Sequence, residues 1–194
     1  MCPSVADPVL IDATLVRNFL RAGFQNRLPE YFGERAYLLR GVKNELKRHA
    51  EESQALRDLL AKWPSSPVLE LPPDMQQKAT DLIDFYRGDT EHEHINRGEI
   101  ETYYMARQLF NEGKELLVIS DDGLAKDYCR GKEDDPDNTG RIPCIDTPTL
   151  LLHMVCEGFL AEQDGQKIWE QGCFHDNRNA WKGYKPRLKS MREE

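Results

Sequence analysis

Four carboxylates hold the chemical interest of this sequence: Asp12, Glu45, Glu99 and Asp121. Asp12 ends the apolar run Val9-Leu10-Ile11, and Thr14 opens a periodic segment just behind it. Asp121 ends a second such run, Leu116-Leu117-Val118-Ile119-Ser120, and again a helical segment follows. A short buried strand that delivers an acid to its C-terminal end and turns at once into a helix suits a ligand-binding edge, because open parallel sheets bind there. Glu45 and Glu99 each fall near the start of an expected helix. If those two helices begin on the same side of the sheet, all four acids converge. Carboxylates held that close repel one another. A hard divalent ion relieves the repulsion, and Mg²⁺ takes oxygen ligands while keeping several waters. Each acid also has plainer employment. Asp12 and Asp121 suit helix N-caps, Glu45 suits a solvated helix face, and Glu99 suits a helix N-terminus. Asp122 and Glu101 are the alternatives for the fourth and third positions, while Thr14 and Ser120 are placed to orient ligands through hydrogen bonds.

The elements that must position these acids follow from hydrophobic period and breakers. The first helix runs from Thr14 through Phe24, and Leu28 to Phe32 forms a helical turn. Ala36 to Leu39 reads as a second strand. One helix is expected from Val42 to Trp63, stopped by Pro64 and Pro67. Val68 to Leu71 is a short extended segment, and Asp74 caps a helix reaching Tyr86. Gly88 to Arg97 is a polar loop; Gly98 to Asn111 is helical, closed by Gly113. Leu116 to Ile119 is the clearest strand, with a helix from Gly123 to Cys129 behind it. Lys132 to Gly140 is loop-like. Ile142 to Ile145 is a further strand, and Asp146 or Thr147 caps a helix running to Glu157. Ala161 to Trp169 is the last helical stretch. Strands spaced by helices indicate an α/β sandwich with a mainly parallel sheet.

The chain has 194 residues, 39% of them hydrophobic and 31% charged, with a formal net charge of -8. That balance supports a sizeable core and argues against broad nonspecific affinity for nucleic acid, which rests on basic surface. It leaves room for an enzyme whose acids cluster around a metal. Cys2, Cys129, Cys144, Cys156 and Cys173 form an odd set without a C-x-x-C pair, which reads as reduced thiols of a cytoplasmic protein. No apolar run approaches membrane-spanning length, so no membrane partner is expected.

In the order and context of its acids the sequence resembles the PIN-domain family, which includes VapC-like toxin ribonucleases and related metal-dependent nucleases. The resemblance runs from Val9 to Leu160. It is carried by Asp12-Ala13-Thr14, by Glu45 in VKNEL, by Gly98-Glu99 with Met105-Ala106, by Leu117-Val118-Ile119-Ser120-Asp121, and by the closing unit Ile142 to Leu152. It implies a three-layer α/β/α sandwich in residues 1–160, with a helical and basic extension in 161–194. It also implies a metal-dependent endoribonuclease using Mg²⁺ or Mn²⁺, with Asp12, Glu99 and Asp121 as principal ligands and Glu45 on an outer water or second ion. Such an ion activates water and neutralises charge at the phosphate. The implied partners are RNA, an antitoxin or other protein, and a second copy of the chain. RNA contact falls to Arg17, Arg97 and Lys126 beside the acids, or to Arg178, Lys182, Lys185, Arg187, Lys189 and Arg192 in the tail, where Trp181 and Tyr184 can stack bases. The chain departs from the smallest toxins between Glu51 and Asn96, at Lys132 to Gly140 and beyond Leu160.

Other readings are carried alongside. A PIN-like module that binds RNA or protein without hydrolysis accommodates the same fold. A flap-type nuclease needs more acids and helices, and a haloacid-dehalogenase-type phosphatase needs an Asp where Thr14 stands. Glu91, His92, Glu93 and His94 lack the companion ligands of a zinc site, so a polar loop is the expectation. Neither a phosphate-binding glycine loop nor a defined Cys–His nucleophile pair is present.

Overall fold

The computed structural model describes residues 6–63, 68–87, 97–131, 141–173 and 190–191. Four strands form one sheet: β1 (Val9–Ile11), β2 (Ala36–Tyr37), β3 (Leu117–Ile119) and β4 (Cys144–Ile145), in the order β2-β1-β3-β4 and parallel throughout. The registers Ile11↔Ile119 and Ile119↔Ile145 align three strand ends. Backbone bonds from Asp12 to Ile119 (3.1 Å) and from Ser120 to Ile145 (3.1 Å) carry the ladder one step further. Residues following these strands therefore emerge along one edge. β1 and β3 are buried on both faces, as continuous apolar runs in a parallel sheet should be.

Helices surround this small sheet. In chain order they are α1 (Ala13–Arg21), α2 (Arg27–Phe32), α3 (Arg40–Ala50), α4 (Gln54–Leu60), α5 (Pro73–Arg87), α6 (Arg97–Asn111), α7 (Gly123–Arg130), α8 (Thr147–Cys156) and α9 (Glu162–Ile168). A 3₁₀ turn, Gly33–Arg35, follows α2, and a π-type turn, Trp169–Cys173, follows α9. α6 packs against β1 and β3, and α3 and α5 pack against α6. α1 packs on α3, α9 and the Trp169–Cys173 turn. Ile168 and Trp169 are fully buried, so the stretch just beyond residue 160 is part of the core. The architecture is a mixed α/β fold with a small parallel sheet and surrounding helices. No helix among the described residues is long and apolar enough to cross a membrane.

Two sequence expectations change, and the short extended segment at Val68 to Leu71 stands as expected. The helix expected over Val42 to Trp63 is two helices. Ser53 accepts from Leu56 N (3.3 Å) and starts α4, while Arg57 donates to the Ala50 and Glu51 carbonyls and satisfies the end of α3. The segment Val68 to Leu71 contributes only a bridge, Leu39↔Leu69. β2 and β4 are shorter than the apolar runs that announced them.

Candidate active site

The C-terminal edge of the sheet collects the first acid where the sequence placed it. Asp12 is 2% exposed and sits in extended backbone as the N-cap of α1, its Oδ1 accepting from Ala13 N at 2.6 Å. Ser120, itself buried, donates its hydroxyl to Asp12 Oδ2 at 3.3 Å, and the Thr14 hydroxyl also bonds this carboxylate. Burial pushes the Asp12 carboxyl up to about 6. The Ala13 and Thr14 bonds oppose that shift, and the nearby Glu45 and Asp121 carboxylates add to it. Capping and electrostatic crowding thus meet in one side chain.

Asp121 is more completely tied. Thr147 donates its backbone N–H to Oδ1 (2.7 Å) and its hydroxyl to Oδ2 (2.5 Å), and Asn18 Nδ2 donates to Oδ2 at 2.8 Å. Burial raises the Asp121 carboxyl. The two Thr147 bonds work against this, Asp146 adds to it and Lys126 again opposes it. The cap of α7 is the neighbour, Asp122, which accepts from Ala125 N at 3.0 Å. Asp122 is therefore engaged in a helix cap, and Asp121 spans from the end of β3 to the start of α8.

Glu45 lies on α3, 8% exposed, with Arg17 at 3.5 Å and His49 at 3.8 Å from Oε1. Glu99 lies in the first turn of α6 and is partly buried. What joins these two helices is a glycine contact. A Cβ on Gly41 would stand 2.9 Å from Gly98 Cα and N, and one on Gly98 would stand 2.9 Å from Val42 N. The starts of α3 and α6 therefore touch through their backbones; Glu99 lies in the first turn of α6, while Glu45 lies one turn further along α3 than the contact. Glu101 is buried and committed here: its Oε2 accepts from Gly41 N (2.8 Å) and its Oε1 from Arg97 Nε (2.6 Å). Glu101 and Arg97 thus hold α3 against α6.

Of the cations expected beside the acids, Arg17 pairs with Glu45 and Lys126 with Asp146 at 3.7 Å. Arg178, Lys182, Lys185, Arg187, Lys189, Arg192, Trp181 and Tyr184 lie outside the described residues, as do Glu91, His92, Glu93 and His94. Two residues that sequence reasoning passed over prove central to Asp121, namely Asn18 and Thr147. Asn18 is 3% exposed on the apolar face of α1, between Leu15 and Phe19. A polar residue in an apolar stripe was the available signal.

No family model, no curated protein and no solved structure matches the chain. The donor chemistry at this edge is that of carboxylate oxygens, with the Glu45 and Asp121 carboxylates adding to the upward shift of Asp12, and hard divalent cations take such oxygens as ligands. Among the described residues, no three His, Cys, Asp or Glu side chains gather in the geometry of a metal site.

Proposed function

We propose that the protein is a metal-dependent endoribonuclease of PIN type, hydrolysing RNA phosphodiester bonds at the edge that carries Asp12. The observation that carries this reading is Asp12 itself: a buried carboxylate at the C-terminal end of a central parallel strand, crowded by Glu45 and Asp121. Proteins keep such costly carboxylate pairs mostly where function needs them. The Gly41–Gly98 contact adds support, because it packs α3, which carries Glu45, closely against the start of α6, which carries Glu99.

In this proposal Asp12, Glu99 and Asp121, assisted by Glu45, would hold Mg²⁺ or Mn²⁺ once drawn together by the ion, which would supply an activated water and charge neutralisation at the phosphate. The chain's own residues set the stage. Thr14 and Ser120 fix the Asp12 carboxylate, and Thr147 and Asn18 fix that of Asp121. Arg17 and Lys126, each in a loose ion pair, offer N–H groups to the RNA backbone. The PIN-like sandwich, a cytoplasmic location, an antitoxin or other protein partner and a homodimer belong to the same proposal.

One observation favours the second reading, a silent RNA- or protein-binding module: both oxygens of Asp121 are already satisfied by Thr147 and Asn18. End-labelled single-stranded RNA and matching DNA, incubated with Mg²⁺, Mn²⁺ or EDTA, separate the two. Metal-dependent RNA cleavage that vanishes in the Asp12→Asn/Asp121→Asn double variant is expected. RNA binding without cleavage in any metal, together with no uptake of Mn²⁺, would establish the silent module instead.

A further inference from the structure

Away from the acids, the thiols of Cys129 and Cys144 meet between α7 and β4. Cys129 is 1% exposed near the end of α7, while Cys144 opens β4 and is partly exposed. Their elements pack together, and Ile142 N donates to the Cys129 carbonyl at 2.9 Å, pinning the approach of β4 to this turn of the helix. The Cys129 thiol donates to the Cys144 sulfur. Lys126 and Arg130, on the same helix, place positive charge near that sulfur. A buried cysteine is ordinarily a small hydrophobe. Here a shielded thiol touches a partly exposed one, with Lys126, Arg130 and the Asp146 carboxylate around it, and a thiol near cations with a second thiol beside it is the environment of a redox-responsive pair.

We propose that Cys144 and Cys129 form a hydroperoxide-responsive dithiol, with Cys144 oxidised first and Cys129 closing the disulfide. The Cys144 thiolate attacks one oxygen of the hydroperoxide. An S–O bond forms, the O–O bond breaks, and the departing oxygen takes a proton to leave as alcohol or water. Cys144 is then a sulfenic acid, oxidised by two electrons, and the peroxide is reduced by two. The Cys129 thiol gives up its proton, and its sulfur attacks the Cys144 sulfur. The S–S bond forms, the S–O bond breaks, and hydroxide leaves with that proton as water. The Cys129 hydrogen bond, with Lys126 and Arg130, lowers the pKa of Cys144 against burial and Asp146; the same contact and burial raise that of Cys129. Exposure assigns attacker and resolver: Cys144 is partly exposed and can meet the peroxide, while Cys129 is 1% exposed and lies behind it. The crosslink would tie α7, which follows Asp121, to β4, which precedes Thr147, and so fasten both sides of the Asp121 bonds.

The reduced full-length chain, carrying Cys156→Ser because tryptic peptide 142–167 also contains that cysteine, is treated with hydrogen peroxide at about one equivalent, the stoichiometry of the two-step scheme. It is then blocked with N-ethylmaleimide and mapped without reduction. A species joining peptides 127–130 and 142–167, lost on adding dithiothreitol, is expected. Cys129 and Cys144 both recovered as alkylated thiols after the peroxide is consumed would overturn the proposal. A Cys129→Ser variant should stall at a Cys144 sulfenic acid trapped by dimedone, and an unlabelled Cys144 there would count against it. Should that variant fold poorly, the intact protein provides the check by iodoacetamide. Cys144 should alkylate about tenfold faster than Cys129, and the reverse order refutes the assignment. None of these readouts depends on nuclease activity.

Discussion

Replacing Asp12 by Asn should stabilise the protein while removing the proposed nuclease activity. The Asp12 carboxyl moves from 3.8 to about 6 on folding. A folded pKa above the unfolded one means that the folded chain holds a proton the unfolded chain has released. The contribution is therefore fully present below the unfolded pKa and is lost as pH rises through the folded one. At neutral pH the ionised, buried carboxylate costs about 3 kcal/mol. Asn keeps an Oδ1 acceptor for Ala13 N and presents an amide to the Ser120 hydroxyl, so cap and contact survive. Urea unfolding in EDTA, followed by the fluorescence of the buried Trp63 and Trp169, should show the variant more stable by about 3 kcal/mol near pH 7.5 and by only about 1 kcal/mol near pH 4.5. Mn²⁺ should narrow the difference at neutral pH, because a cation bound to the folded wild type offsets the same repulsion. A variant less stable than wild type at neutral pH, or a gain that ignores pH, would refute the electrostatic account of Asp12.

Three further substitutions probe the framework. Thr147→Val removes the hydroxyl bond to Asp121 Oδ2 and leaves the backbone bond and Asn18. It should cost about 1–3 kcal/mol in chemical denaturation and lower RNA turnover, and an unchanged midpoint would show that the hydroxyl holds nothing. Gly41→Ala drives a methyl into the Gly98 backbone and should cost about 2 kcal/mol or more. Gly123→Ala, which meets nothing within 4 Å, should stay within about 0.5 kcal/mol of wild type by the same measurement.

How far the sequence discloses this arrangement depends on the range of each interaction. The β1–Asp12–α1 unit is legible because its causes are local: an apolar run, an acid in extended backbone, and a helix that needs a cap. β3 and its Ser120-Asp121 end are legible for the same reason. The break between α3 and α4 is also local, yet the apolar spacing of Leu46, Leu56 and Leu59 continues across it and masks the Ser53 cap. The partners of Asp121 are of another kind. Asn18 and Thr147 lie 103 and 26 residues away in the chain, and no spacing rule links them before the sheet order is known. The Gly41–Gly98 contact is likewise invisible in a linear pattern, although Gly98-Glu99 stands out as a pair. The Asp121 and Asp122 side chains divide their work in a way that their adjacency cannot reveal. One reaches across to α8 while the other caps α7.

Capping and chemistry are often set against each other as explanations of an acid at a strand end, but at this edge they are compatible to different degrees. Asp12 caps α1 through Oδ1, and its Oδ2 accepts from the Ser120 hydroxyl at the longer distance of 3.3 Å, so a ligand displacing that bond must offset the buried hydroxyl it leaves behind. Asp121 gives one oxygen to a backbone N–H and the other to a hydroxyl and an amide at 2.5 and 2.8 Å. For a cation to bind Asp121 through Oδ2, Thr147 or Asn18 must turn away, whereas Oδ1 accepts only the Thr147 N–H and keeps a second lone pair. Asp121 is thus the more constrained of the two acids, and its Oδ1 the oxygen open to a further ligand. The hydrogen bonds from Asn18 and Thr147 are where the fold can set how tightly an ion is held, because each bond broken on binding subtracts from the affinity gained.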